Sequence, residues 1–335
     1  MTDLYLTAFG QKLGINGGSF EVESPDHSKI RISASEVKNI WMRPATGLSA
    51  ASVALCRENG IGLWFTDKEG KAHSMLWDLK PGSISTIRQK QGFFFRHNGG
   101  GQWAKNVIAG RIRMQEDLLS FLLRDRPGKK EKVQPAIAQL KANQGRVLEL
   151  EDVPGTAMLE KLRGLEGISA KAYFASLGHL VPEPFSFTGR SRRPAADPFN
   201  ACLNYCLGIL YPLVFREMLQ AGLDPYLGII HTAEYNRATG SYDFMENYRA
   251  WAEAACMSMV IRKWISPSEF KTEGQECMAE APAREKIASF FLAFLDEVKL
   301  KGGRKLSRKE HIKADCQDFA RYLLEEFEIP ETLQW

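Results

Sequence analysis

His231 closes the run Gly222-Leu223-Asp224-Pro225-Tyr226-Leu227-Gly228-Ile229-Ile230-His231, and a polar stretch then leads to Asp243-Phe244-Met245-Glu246 inside a helical pattern. Far upstream, Glu166 sits in Leu165-Glu166-Gly167-Ile168-Ser169-Ala170. Three carboxylates and one imidazole make a ligand set for a hard divalent cation engaged in phosphodiester chemistry. Oxygen ligands suit Mg²⁺ or Mn²⁺, and one imidazole tilts the set toward Mn²⁺. Asp243 and Glu246 are three apart, so a helix projects both from one face, where they can share an ion or its waters. Glu166 and His231 must arrive from other elements. Taken singly, each of these residues is also an ordinary surface or capping group, and only the sequence around it gives it meaning.

The elements that position them fall into two textures. Over residues 1–82, Leu4-Tyr5-Leu6-Thr7, Ser19-Phe20-Glu21-Val22, Ile30-Arg31-Ile32 and Leu63-Trp64-Phe65-Thr66 read as short strands, with Gly17-Gly18 and Pro25-Asp26 as breakers. One helix interrupts them, from the N-cap Ser49 to the stop at Gly60. Lys80-Pro81-Gly82-Ser83 reads as the hinge, and residues 83–101 as a linker. From residue 102 to 335 the apolar spacing becomes three and four. That predicts helices over 102–123, 133–147, 154–178, 198–220, 243–264, 282–298 and 309–327. The fold class is α+β, a small β-rich domain followed by a larger helical one.

Four stretches stand out as motifs. Leu162-x-Gly164-Leu165-Glu166-Gly167-x-x-Ala170-x-x-Tyr173-Phe174 resembles the first signature of a known family, the CRISPR adaptation integrases, the larger subunit of the spacer-acquisition complex. Arg190-x-Arg192-Arg193-Pro194-Ala195-Ala196-Asp197-Pro198-Phe199-Asn200 resembles the second, Gly222-Leu223-Asp224-Pro225 through His231 the third, and Asp243-x-x-Glu246-x-x-Arg249 the fourth. Ala195, Cys206, Leu207, Ala250 and Ala254 depart from the family's usual residues, and none is a proposed ligand.

The resemblance implies an amino-terminal β-sandwich-like domain that dimerises, and an all-helical catalytic domain. It implies a metal-dependent DNA integrase and endonuclease, which inserts foreign DNA fragments into a CRISPR array by transesterification of a DNA 3′-hydroxyl onto a phosphodiester. Glu166, His231 and Glu246 would hold Mg²⁺ or Mn²⁺. Asp243 would be an added ligand or a base behind them. Arg190, Arg192, Arg193 and Arg249 would contact nucleic acid. The implied partners are double-stranded prespacer DNA with 3′ ends, leader-repeat DNA, a second copy of the chain and a small ferredoxin-like adaptation subunit. Two other readings compete: a transposon-type integrase of the same family, and a catalytically idle DNA-binding scaffold.

Composition bounds these readings. The 335 residues favour two domains, and 44% hydrophobic with 25% charged residues is ordinary for a soluble globular protein. A net charge of +4 permits an anionic partner without demanding one. Met1-Thr2-Asp3 lacks the basic, then apolar, opening of a signal peptide, and the run Ala201 to Phe215 is too short to span a bilayer. The six scattered cysteines read as reduced, in a cytoplasmic protein without a membrane segment. Cys202 and Cys206, one helical turn apart, read as small core residues because no second pair stands near in sequence to complete a zinc site. Phe93-Phe94-Phe95 reads as packing against the helical core rather than as a platform for DNA ends, and Arg304 to Lys309 as a solvated basic cluster.

Overall fold

The amino-terminal region folds on a two-residue period. Its elements are β1 (Thr2–Leu6), β2 (Lys12–Asn16), β3 (Ser19–Glu23), β4 (Lys29–Ser33), β5 (Val37–Met42), β6 (Gly47–Leu48), α1 (Ala50–Glu58), β7 (Gly62–Thr66) and β8 (Ala72–Met75). In β3, Phe20 and Val22 turn inward, and Ser19, Glu21 and Glu23 turn to the other face. Gly17 and Gly18, with φ of +58° and +76°, make the two-residue turn that pairs Asn16 with Ser19. Two four-stranded sheets result, in the orders β1-β5-β7-β8 and β4-β3-β2-β6. Leu6, Ile40 and Leu63 from the first, Leu13 and Phe20 from the second, and Cys56 from α1 share one buried core. Ser49 caps α1, its Oγ accepting from the Ser52 amide at 3.1 Å.

The computed structural model describes residues 2–68, 70, 72–76, 84–96, 98–151, 156–231 and 237–329. The chain divides into two compact units, Met1–Pro81 and Gly82–Trp335. The expected hinge at Lys80 to Ser83 lies outside the described residues.

The second unit contains α2 (Ile84–Arg96), α3 (Asn98–Arg124), α4 (Lys130–Leu148), α5 (Thr156–Gly178), α6 (Pro198–Gln220), α7 (Thr239–Met245), α8 (Arg249–Ile261), α9 (Ala281–Asp296) and α10 (Arg308–Glu325). It is mainly helical but not all-helical. β9 (Phe270–Glu273) pairs with β10 (Glu276–Ala279), and β11 (Val298–Lys301) with β12 (Arg304–Ser307). The second hairpin turns on Gly302 and Gly303, whose φ angles are +58° and +77°. Four-residue strands are too short to break a helical reading of the flanking sequence.

Three further expectations change here. Most of the stretch expected as a linker, 83–101, is helix. Phe94 and Phe95 sit in the core, and Phe94 packs at 5.4–5.8 Å, ring centre to ring centre, against Phe319, Tyr322 and Phe327. The basic cluster from Arg304 to Lys309 is solvated only in its first half: Arg304, paired with Asp318, and Lys305 are exposed, whereas Arg308 and Lys309 are buried and paired with Glu297 and Asp296. The run Ala201 to Phe215 belongs to the longer α6, which by length and composition could cross a membrane. In this fold α6 is a core helix packed by α7, α8, α9 and α10, with the buried Arg216–Glu217 ion pair near its end.

Replacing Phe94 by alanine removes a ring that four aromatic neighbours enclose. Urea unfolding followed by far-ultraviolet circular dichroism should show a loss of about 3–5 kcal/mol. A loss below about 1 kcal/mol would place the ring outside the core.

Candidate functional site

The loop from Gly222 to His231 is held from outside itself. Gln91 of α2 is fully buried; its side-chain amide donates to the carbonyls of Asp224 and Leu227 at 3.0 and 3.3 Å and its oxygen accepts from the Asp224 amide at 2.8 Å. The loop then meets the start of α7 backbone to backbone. A Cβ on Gly228 would lie 2.8 Å from the Asp243 carboxylate, and one on Gly240 only 2.3 Å from the Leu227 carbonyl oxygen. Only glycine permits this approach.

That seam buries Asp243 completely. Its Oδ2 accepts from the amides of Ile229 and Ile230 at 2.6 and 2.9 Å. Its Oδ1 accepts from the His231 amide at 3.0 Å and lies 2.6 Å from His231 Nδ1. A carboxylate surrounded by donors fixes Nδ1 as a donor too, so the lone pair of the neutral ring resides on Nε2. Nε2 lies 3.9 Å from Glu246 Oε1. Asp243 and Glu246 thus address opposite nitrogens of one imidazole.

α3 contributes a residue that carries no signature in the sequence. Arg111 is almost wholly buried, and its Nη1 lies 2.5 Å from Glu166 Oε1 on α5 and 2.6 Å from Glu246 Oε2. Arg249, at the start of α8, reaches Glu246 Oε1 at 2.5 Å. Burial alone would raise the Glu246 carboxyl, but Arg111, Arg249 and His231 hold it below the usual carboxylate range. Burial likewise disfavours the Arg111 cation, and Glu246 and Glu166 more than offset this. Glu253, one turn along α8, is pushed up by burial, with Arg111 only partly opposing.

The arginine loop divides in two. Arg190 turns inward, donating to the side-chain oxygens of Asn200 and Asn204 at 3.0 and 2.6 Å. Arg192 and Arg193 are exposed. Arg192 feels Arg249 and Arg111, and partial burial together with these two cations lowers its pKa. Three guanidiniums therefore converge beside Glu166 and Glu246.

The donor set fits a divalent cation of the Mg²⁺ or Mn²⁺ kind. Two carboxylates face each other across a single nitrogen atom, and an imidazole presents an open Nε2. Glu246 Oε2, fully buried, accepts no well-aligned hydrogen bond despite its ion pair and so retains ligating capacity. Asp243, by contrast, has its oxygens committed to four donors.

Comparison with known proteins gives the family. A family described as CRISPR associated protein Cas1 matches residues 4–292. The "CRISPR-associated endonuclease Cas1 1" of Archaeoglobus fulgidus is 25% identical over 331 residues, 96% of each chain. Among solved structures, a casposase bound to integration product has a TM-score of 0.78 at 19% identity, over 98% of this chain and 92% of that one. A Cas6-RT-Cas1–Cas2 complex gives 0.74 at 20% identity, over 99% of this chain and 36% of that one. The two structures show a shared fold.

Removing Arg111 strands two carboxylates against each other. In metal-free buffer, Arg111→Ala should lower stability by about 3–5 kcal/mol, as removing one partner from a buried ion pair does. Mn²⁺ should restore part of that stability by entering between Glu166 and Glu246. Thermal melts with EDTA and with Mn²⁺ measure both; a variant equally stable in the two would show that no cation takes the vacated place.

Proposed function

The chain belongs to the CRISPR-associated protein Cas1 family, and from that premise we propose that it is a divalent-metal-dependent DNA integrase and endonuclease acting in spacer acquisition. The observation that supports this most is the convergence of Glu166, Glu246 and His231 Nε2 beside three guanidiniums. The reaction joins a DNA 3′-hydroxyl to a phosphodiester of the leader-repeat, with departure of the leaving 3′-oxygen. Such a displacement asks the protein for alignment and for stabilisation of charge on the phosphate oxygens.

Glu166, His231 and Glu246 are the ligands in this reading. A Mg²⁺ or Mn²⁺ ion held there would supply Lewis-acid stabilisation of the phosphate and a lowered pKa for a coordinated hydroxyl. Asp243 acts through His231, fixing its tautomer and ring plane. Arg111 is the countercharge of the two carboxylates, and with a cation held between them its guanidinium would be available to a phosphate. Arg249 stays on Glu246, and Arg192 and Arg193 take the DNA backbone. Arg190 supports the loop rather than contacting DNA, because its donors are spent on Asn200 and Asn204.

Residues 1–82 serve dimerisation in this proposal, and the small adaptation subunit bridges two dimers on prespacer DNA. A transposon-type integrase remains the second reading, because the casposase matches the fold as well as the Cas1–Cas2 assembly does. Preference for a leader-repeat target over unrelated duplex separates the two. The intact ligand set speaks against an idle scaffold.

Integration of labelled oligonucleotides tests the site. Glu166→Ala and His231→Ala should each abolish strand transfer with the circular dichroism spectrum retained. Glu246→Gln should abolish Mn²⁺ binding in titration. Asp243→Asn should keep weakened binding and lose most activity, since an amide nitrogen would face backbone donors. Tighter Mn²⁺ binding by the Glu246 variant than by the Asp243 variant would make Asp243 the ligand. Replacing Arg192 and Arg193 together should flatten the log-affinity against log-salt slope by about 0.9 for each duplex phosphate they no longer neutralise. An unchanged slope would return both to solvated surface.

A further inference from the structure

The second partner that Cys202 and Cys206 lack in the sequence arrives in the fold from another helix. Cys202 Sγ on α6 lies 3.4 Å from Cys256 Sγ on α8, and Cys256 Sγ lies 3.7 Å from Cys206 Sγ. All three sulfurs fall within 4.8 Å of one another, and all three residues are fully buried. Three thiolates around one ion at a metal–sulfur distance of about 2.3 Å stand about 3.8–4.0 Å apart, for tetrahedral or trigonal angles. The cluster already has close to that spacing. No bridge joins these cysteines; all are free thiols.

We propose that Cys202, Cys206 and Cys256 form a three-coordinate site for a soft monovalent cation of the Cu(I) class, binding across α6 and α8. Thiolates select soft ions. Among the described residues, no fourth histidine, cysteine, aspartate or glutamate joins the cluster at ligand spacing, which disfavours four-coordinate Zn²⁺. Burial keeps the metal-free thiols protonated, so each thiolate that binds the ion releases its proton to solvent. Three thiolates and one monovalent cation leave two negative charges, of which the Arg190 guanidinium, which interacts electrostatically with Cys256, offsets one. The same guanidinium holds Asn200 and Asn204 on α6. An ion here would clamp α6 to α8, the helix that begins with Arg249. The site shares no ligand with Glu166, His231 and Glu246 and stands or falls apart from the integrase reading.

The test uses the full chain, reduced, stripped with EDTA and kept anaerobic. Because the cluster is buried, Cu(I) is supplied both to the folded protein over hours and during refolding, with bathocuproine disulfonate as competitor. The expected result is uptake of one equivalent, an ultraviolet thiolate-to-copper charge-transfer band, and an upward shift of the melting temperature. The triple variant Cys202→Ala, Cys206→Ala, Cys256→Ala should lose all three effects. Changing Cys56, Cys277 and Cys316 to serine should leave them in place, since those cysteines stand outside the cluster. Should the triple alanine variant misfold by circular dichroism, Cys206→Ala alone decides, with affinity at least about 100-fold weaker. Absence of uptake after refolding with Cu(I), equal uptake by the folded cluster variant, or Zn²⁺ binding of comparable affinity overturns the proposal.

Discussion

The site hangs on one carboxylate that never faces solvent. Asp243 gathers the amides of Ile229, Ile230 and His231 and the imidazole of His231 onto its two oxygens. A buried charge is tolerable only when donors replace its lost water. Here the donors come from a loop that has no regular structure of its own, so the charge and the loop define each other. The contact depends on Gly228 and Gly240, where any side chain would push loop and helix apart. The imidazole is therefore set by backbone geometry on one side and stays open on the other.

The second constraint is charge balance above that seam. Glu166 and Glu246 would repel each other strongly in a poorly solvated place. Arg111 stands between them, and Arg249 closes the far side of Glu246. Without a metal ion the site is thus balanced by guanidiniums. The two carboxylates are thereby kept close together without mutual repulsion dominating, Arg111 lying 2.5 and 2.6 Å from one oxygen of each.

Much of this was legible in the sequence. Glu166, His231, Asp243 and Glu246 stood out because acids and a histidine occurred in distinctive local surroundings. The change from a period of two to one of 3.6 separated the strands of Leu4 to Thr66 from the helices after residue 102. What stayed hidden was long-range. Arg111 reads as one more charge on a helix, although it lies on the buried stripe that Ile108, Ile112, Gln115 and Leu119 define. A charge inside an apolar stripe was the available signal. Gln91 fell in a stretch that looked like a connection. Arg190 looked like its neighbours Arg192 and Arg193 until Asn200 and Asn204 were seen to claim it. Cys256 is far from Cys202 in sequence, and only the packing of α8 on α6 makes them a group.

The interruption after Asp243 explains how two acids three residues apart do different work. The sequence predicts one helix from 243 to 264, but α7 ends at Met245 and α8 begins at Arg249. On the last turn of α7, Asp243 and Glu246 still share a face, so both can reach His231. The shorter side chain goes to the backbone amides, and the longer one reaches Arg111. Were the helix continuous, Arg249 would follow on that same face with its stem running along the axis. Instead Tyr248 leaves helical geometry at φ −128° and ψ −7°. Arg249 pairs with Glu246 Oε1 at 2.5 Å, while Arg111 lies 2.6 Å from Oε2, so each oxygen of that carboxylate has its own guanidinium. The break, rather than the spacing alone, goes with Asp243 anchoring the loop while Glu246 faces the guanidiniums of Arg111 and Arg249.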